Sequence, residues 1–158
     1  MGVTITRNVE IRAYRFSELF QGFEHIKAVR DIFAERTGQV LSSLTVVILR
    51  RRGYMYVDDK SGYINISYQY LKSADERYIY LDLIHELIHV RQFMEGKELF
   101  DEKYDYVDRP TELEAYTKTV TEARRIGLSS QEIVEYLKVE WVSADEFDRF
   151  LRTLGLTK

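Results

Sequence analysis

The sequence predicts an α+β fold, in which a small and mostly antiparallel sheet packs on an N-terminal helix and a central helix and is followed by a helical C-terminal half. Three observations support this prediction. Apolar residues recur at helical spacing over residues 18–37, runs rich in β-branched and aromatic residues lie between residues 44 and 68, and helix-capping patterns recur from residue 73 onward. No linker, repeat or low-complexity segment interrupts the 158 residues, so we expect a single domain over residues 1–158.

The N-terminal part is predicted to hold one strand and one long helix. Val3–Ile11 alternates loosely between apolar and polar residues, which is typical of an edge strand. Ser17 is a suitable N-cap for a helix over residues 18–37, with Gly38 at its end.

Three short runs predict the sheet. Leu44–Leu49 is rich in β-branched residues and predicts a buried strand. Tyr54–Val57 and Tyr63–Tyr68 flank the polar segment Asp58–Gly62, which predicts a hairpin.

The remaining chain is predicted to be helical. A helix that runs to about Met94 has Gly96 at its end, and another lies between Pro110 and Gly127. In a capping box, a serine side chain and a glutamate three residues later each bond the other's backbone amide. That spacing occurs in three places: Ser73 with Glu76, Ser129 with Glu132, and Ser143 with Glu146.

Composition excludes several classes of protein. A net charge of −3 gives no electrostatic reason to expect nucleic acid or an anionic membrane as a partner. No apolar stretch approaches membrane-spanning length, and the first residues lack the apolar core of a signal peptide, so we expect a cytoplasmic protein. The sequence contains no cysteine, so any metal must be held by His, Asp or Glu.

Two of the three histidines form the pattern His85-Glu86-Leu87-Ile88-His89 in the middle of a predicted helix. Residues four apart lie on one face of an α-helix, so both imidazoles can reach one ion. Glu86 can lean toward the open position of that ion without being a ligand. The third histidine, His25, is interpreted as an ordinary residue on the surface of the N-terminal helix.

The pattern predicts a zinc site with His85 and His89 as ligands and Glu86 as the general base. Zinc lowers the pKa of bound water to about 7, and Glu86 can accept a proton from that water and pass it to a leaving amine. A catalytic zinc usually takes three protein ligands, so a carboxylate further along the chain is expected to complete the site. Glu112 and Glu114, just after Pro110, are the candidates.

His85–His89 followed by Glu112-Leu113-Glu114-Ala115 resembles the gluzincin clan of metallopeptidases, most closely its small single-domain members, the minigluzincins and the relatives that cleave phage-type repressors. In those proteins the later helix often carries Glu-x-x-Ala, and its first Glu is a zinc ligand, which implies that role for Glu112. The family has an acidic or amide residue where this chain has Tyr116. The partner that orients a ligating histidine is therefore unassigned, with Asp82 as one candidate.

Glu112 and Glu114 cannot both face one ion, because they lie about 200° apart on a helix. Thr111 and Glu114 also have capping-box spacing, which gives Glu114 a structural role. We therefore predict Glu112 as the third ligand and keep Glu114 as the alternative.

The resemblance also implies that the strand before the metal helix is a sheet edge that receives the substrate backbone. Tyr63–Tyr68 is in that position, unless Val3–Ile11 already covers it. A donor to the tetrahedral oxyanion is expected beside the zinc, and four tyrosines can chemically supply it: Tyr104, Tyr106, Tyr116 and Tyr136.

The sequence thus predicts a zinc metallopeptidase that acts on a peptide or protein substrate, and it does not indicate the oligomeric state. Two alternatives stay open. One is a non-catalytic regulatory or interaction protein with a vestigial or structural metal site, and the other is a metal hydrolase with a substrate other than a peptide.

Overall fold

The computed structural model describes residues 2–157 and confirms the α+β class. The strands are β1 (Thr4–Ile5), β2 (Ala13–Arg15), β3 (Phe20–Gln21), β4 (Thr45–Leu49), β5 (Met55–Val57) and β6 (Ile64–Ser67). The helices are α1 (Phe16–Leu19), α2 (Lys27–Phe33), α3 (Thr37–Ser43), α4 (Tyr68–Ser73), α5 (Glu76–Met94), α6 (Pro110–Arg125), α7 (Ser130–Leu137) and α8 (Ala144–Thr153). Buried apolar side chains from both halves form one continuous cluster.

The main sheet has four strands in the order β2-β4-β6-β5. β2 with β4 and β5 with β6 are antiparallel pairs, as the predicted hairpin requires, but the central pair of β4 and β6 is parallel. The prediction that Tyr63–Tyr68 forms a sheet edge is wrong. β6 lies inside the sheet with both neighbours hydrogen-bonded, and the edge on that side is β5.

The predicted helix over residues 18–37 is also wrong, since this segment folds as several short elements. Phe20–Gln21 pairs with Thr4–Ile5 in a separate two-stranded sheet. Thr4–Ile5 is the only strand within the predicted Val3–Ile11 run. Gly22 then adopts a φ of 90°, and a Cβ there would meet a backbone oxygen at 2.7 Å. The break directs Phe16, Phe20 and Phe23 into one aromatic cluster, so tertiary burial outweighs helical periodicity.

The central helix α5 is the best-buried helix within residues 2–157. Twelve of its nineteen residues are buried, so it is enclosed by its neighbours rather than exposed along one face. It begins after Asp75, whose carboxylate accepts the amide of Arg77, and not at the predicted Ser73–Glu76 capping box. Ser73 instead ends α4, because Asp75 is an equally good cap two residues further along the chain.

The C-terminal helices follow the sequence prediction closely. Pro110 is the first residue of α6, and Gly127 follows its end with a φ of 98°. Capping boxes are present at Ser129 with Glu132 and at Ser143 with Glu146. Within residues 2–157, no helix has both the length and the apolar composition that crossing a membrane requires.

Gly62 in the β5–β6 turn contacts α5 closely. Its φ is 74°, and a Cβ there would lie 2.5 Å from the Phe93 ring. Gly96 has a similar φ of 79° with nothing within 4 Å of its Cβ position. Gly62→Ala is therefore expected to lose about 1–3 kcal/mol more unfolding free energy than Gly96→Ala, measured by urea denaturation, because only the former adds a clash to the backbone strain. Equal losses would contradict the close contact between this turn and α5.

Candidate functional site

Two histidines of α5 point their imidazoles at each other one helical turn apart. The Nε2 atoms of His85 and His89 are 3.1 Å apart, and their ring centroids are 4.7 Å apart. Both side chains are buried, with residue exposures of 5% and 6%. The i, i+4 spacing therefore does bring the two nitrogens to one point.

Glu112 reaches this point from the first turn of α6. Its Oε1 lies 3.0 Å from His85 Nε2 and 2.9 Å from His89 Nε2. The three ligand-type atoms thus form a nearly equilateral triangle inside the protein. Among residues 2–157, this is the only group of three or more such side chains close enough to hold an ion.

The triangle fits a small divalent metal. Bonds of about 2.0–2.1 Å at tetrahedral angles separate ligand atoms by about 3.3 Å, which is close to the distances observed. The two Nε2 atoms are 3.1 Å apart, and when both are unprotonated their lone pairs point to one position, where a cation would be shared between them. Two imidazoles and one carboxylate are also a donor set that zinc commonly takes in catalytic sites.

Glu114 lies away from this cluster. Its carboxylate is bonded by the guanidinium of Arg91 at 2.5 Å and by the side-chain amide of Gln92 at 2.7 Å. The predicted capping box with Thr111 is absent, because the Thr111 hydroxyl donates to the carbonyl of Leu99. The structure therefore brings Glu112, and not Glu114, to the two histidines.

Gln92 orients His89. Its side-chain oxygen lies 2.7 Å from His89 Nδ1, and its amide group donates to the Thr111 carbonyl and to Glu114. Since the amide NH₂ is used in both of those bonds, the oxygen must accept from His89, which leaves Nε2 facing Glu112. Sequence analysis missed this residue, although its position three residues after His89 on the same helix was a usable indication.

Asp82 is not the orienting partner of a histidine. Its two carboxylate oxygens accept the hydroxyls of Tyr70 and Tyr136. Nδ1 of His85 is buried without a hydrogen-bond partner among residues 2–157. Asp82 nonetheless lies one turn before His85 and shares the wall of the same cavity.

The ionisation of the cluster reflects competition between burial and charge. Burial lowers the pKa of His85, whereas for His89 the bonds and charges of Glu112, Glu86 and Gln92 outweigh burial and raise the pKa to about 9. Burial alone would raise the pKa of Glu112, but its bonds to the two imidazoles outweigh that and hold the pKa well below its usual range. Glu112 is therefore an anion at neutral pH, as a metal ligand must be.

Glu86 lies beside the cluster and is 6% exposed. Burial raises its pKa well above the usual range, against the opposing effects of His89 and the Val57 backbone. Its carboxyl group makes no ion pair with a Lys or Arg side chain of residues 2–157. A poorly solvated carboxyl in a cavity wall is a suitable proton acceptor.

A cavity of about 420 Å³ opens onto these residues. Its walls include His85, Glu86, His89 and Glu112, together with strand β5. Of the four candidate tyrosines, Tyr106, Tyr116 and Tyr136 line it and Tyr104 does not. The Tyr116 ring packs 4.2 Å from the His85 ring, between centroids, and its hydroxyl bonds to that of Tyr106.

His25 lies apart from the site. It is exposed in a short 3₁₀ turn, Phe23–His25, where its ring is near Glu24. It is therefore a surface histidine, as expected.

Comparisons of this chain with models of known families, with curated proteins and with solved structures find no match. The function must be inferred from the site itself.

The buried bonds of Gln92 yield a direct test. Gln92→Met keeps the volume but removes three hydrogen bonds, and we expect the free energy of unfolding to fall by about 2–4 kcal/mol in urea denaturation. The matched control is Gln69→Met on the exposed surface of α4, which should change it by no more than about 0.5 kcal/mol. Similar small effects of both substitutions would refute the role of Gln92 in holding His89.

Proposed function

We propose that this chain is a zinc-dependent peptide hydrolase in which His85, His89 and Glu112 hold the metal and Glu86 is the general base. The observation that carries the proposal is the convergence of these four side chains in the buried wall of one cavity. The resemblance of the sequence to minigluzincins is consistent with the proposal, but the proposal rests on the positions of the four side chains.

Each residue has a separate task in this mechanism. His85, His89 and Glu112 would hold the zinc ion, which would supply Lewis acidity toward water and a carbonyl group. Glu86 accepts one proton from the water whose oxygen attacks the scissile carbonyl carbon. As the C–N bond breaks, Glu86 returns that proton to the leaving amine. Gln92 keeps His89 in the tautomer that presents Nε2.

Strand β5 is the proposed docking edge for the substrate backbone. It pairs with β6 on one side and has no strand partner on the other among residues 2–157. Residues 54–57 line the cavity beside Glu86. An extended peptide that adds to this edge passes the metal cluster, which favours a peptide over a compact substrate.

The burial of the Glu86 carboxyl group beside the cluster argues against a purely structural metal site. Burying a carboxyl group without a cationic partner costs stability, and a structural ion needs no such group beside its ligands. An open cavity next to the cluster also differs from structural zinc sites, in which protein ligands occupy all four positions.

The ligand assignment is tested by zinc affinity. Residues that only orient a ligand typically change affinity by about 10–100-fold, so loss of a ligand in His89→Ala or Glu112→Gln should weaken zinc binding by more than about 100-fold in a competitive chelator titration. Glu114→Gln is the matched control and should retain nearly native affinity. Stronger loss in Glu114→Gln than in Glu112→Gln would reverse the assignment, and native affinity in His89→Ala would refute it.

The base assignment is tested by Glu86→Gln, which keeps the size of the side chain and removes its basicity. Zinc should stay bound, while cleavage of unfolded proteins or peptide pools should fall by about 10²–10⁴-fold, read by mass spectrometry. The control is Glu135→Gln, another carboxylate in the cavity wall, which is exposed and bonded to Lys138. Undiminished cleavage by Glu86→Gln would show that the mechanism is wrong even with zinc in place.

A further inference from the structure

The cavity beside the metal cluster continues past it along α5 toward the α4 helix. Asp82, His85, Glu86 and His89 occupy one stripe of α5 at helical spacing, and all four line this cavity. Asp82 therefore lies about one helical turn, or 5 Å, from the cluster. A side chain next to the scissile bond can span that distance.

Asp82 is partly buried, and its carboxylate has no cationic partner among residues 2–157. Only two tyrosine hydroxyls bond to it, and no Lys, Arg or His of residues 2–157 forms an ion pair with it. Each carboxylate oxygen can accept a further bond. A carboxylate that is shielded from water gains from an opposite charge, so Asp82 offers these free acceptor positions to a cationic group in the cavity.

Part of the cavity wall is an arc of aromatic rings. Neighbouring ring centroids along it are 5.2 Å apart for Tyr70 and Tyr54, 6.4 Å for Tyr54 and Trp141, 5.7 Å for Trp141 and Tyr106, and 6.2 Å for Tyr106 and Tyr116. We call these five residues the aromatic arc. It leads from Asp82's partner Tyr70 to the ring of His85. Ring faces of this kind attract a cation as well as an apolar stem.

The cation that lines this cavity is already committed. Lys138 pairs with Glu135 at 3.1 Å. Arg109 lies at the Tyr106 end of the arc, with Cζ 5.8 Å from the ring centroid, but it does not line the cavity. At the Tyr54 end the nearby charges are negative: burial raises the pKa of the Tyr54 hydroxyl, and the carboxylates of Glu140 and Asp82 add to that rise. The pKa of Tyr70 is likewise raised, by burial and then by Asp82.

We propose that the cavity between Asp82 and the aromatic arc is a specificity subsite for a lysine or arginine side chain adjacent to the scissile bond. This inference rests on the proposed function. The ammonium or guanidinium group bonds to the outer lone pairs of Asp82, and the aliphatic stem lies along Tyr54 and Trp141. A neutral apolar side chain of the same length would desolvate Asp82 without pairing it, so the subsite disfavours such a residue.

Trp141 provides the reporter for a binding test that does not depend on hydrolysis. It is the single tryptophan of the chain and lies on the rim of this cavity, 57% exposed. The zinc-loaded Glu86→Gln protein is titrated with blocked pentapeptides that differ at one position, Lys, Arg, norleucine, Phe or Glu, in an Ala-Gly background. Trp141 fluorescence gives the dissociation constant of each peptide.

The Lys and Arg peptides should bind about 10–100-fold more tightly than the norleucine peptide, with the Glu peptide weakest, and added salt should reduce the difference. Equal or tighter binding of the norleucine or Phe peptide would overturn the proposal, and so would no fluorescence change with any peptide. Hydrolysis is not part of this readout. If the subsite proposal is right but the proposed hydrolase function is wrong, the peptides will show the Lys preference in binding, and the wild-type protein will not cleave them.

Two further variants locate the preference. Asp82→Asn keeps the shape of the side chain and should abolish the advantage of Lys over norleucine. Tyr54→Leu should weaken Lys binding, whereas Tyr104→Leu, a tyrosine of the same 44% exposure outside the cavity lining, should not. If Asp82→Asn fails to fold, the Tyr54 and Tyr104 pair decides. Retained Lys preference in a folded Asp82→Asn, or equal effects of the two Leu variants, would refute the subsite.

Discussion

Two imidazoles spaced by one helical turn meet one carboxylate from the next helix, and the rest of the site is arranged around that contact. This contact joins α5 to the first turn of α6, which begins at Pro110. His85, Glu86, His89 and Gln92 are buried polar residues of α5, so their polar groups must be satisfied by neighbouring residues or by a ligand. The position of α6 therefore depends on the same contact that would hold the metal.

The buried polar stripe of α5 explains why its neighbours carry so many hydrogen-bonding groups. At the C-terminal end of the stripe, the Gln92 side chain donates to the Thr111 carbonyl of α6. At its N-terminal end, Asp82 accepts the hydroxyls of Tyr70 from α4 and Tyr136 from α7. Glu86 and Asp82 form no ion pair with a Lys or Arg side chain of residues 2–157, although the charge of His89 acts on Glu86. Such arrangements cost folding free energy, and a cavity lined by candidate metal ligands and by carboxyl groups without ion pairs is typical of a site that binds charged reactants.

Local patterns in the sequence predicted the elements and contacts that depend on neighbouring residues. The spacing of His85 and His89 on one helix, the start of α6 at Pro110 and the last two capping boxes are set within a few residues of the chain. Helical geometry allowed only one of Glu112 and Glu114 to face the ion, and the choice of Glu112 rested on the resemblance and on a capping role for Glu114. The structure brings Glu112 to the histidines, but it pairs Glu114 with Arg91 and Gln92 rather than placing it in a cap.

Features that depend on distant residues were mispredicted or missed. The position of β6 inside the sheet is decided by its pairing with β4 and β5, which no local pattern encodes. The break at Gly22 depends on a backbone that packs against it from the N-terminal segment. The partners of Asp82 come from two helices far apart in sequence, so its role as an acceptor in the cavity could not be inferred from α5 alone.

The most direct test of the metal centre is X-ray diffraction from crystals grown with zinc, recorded on both sides of the zinc absorption edge. We predict one anomalous peak per chain, within about 2.0–2.2 Å of Nε2 of His85, Nε2 of His89 and a carboxylate oxygen of Glu112. An empty cluster under zinc-saturating conditions, or a zinc ion held elsewhere in the chain, would contradict the proposed site.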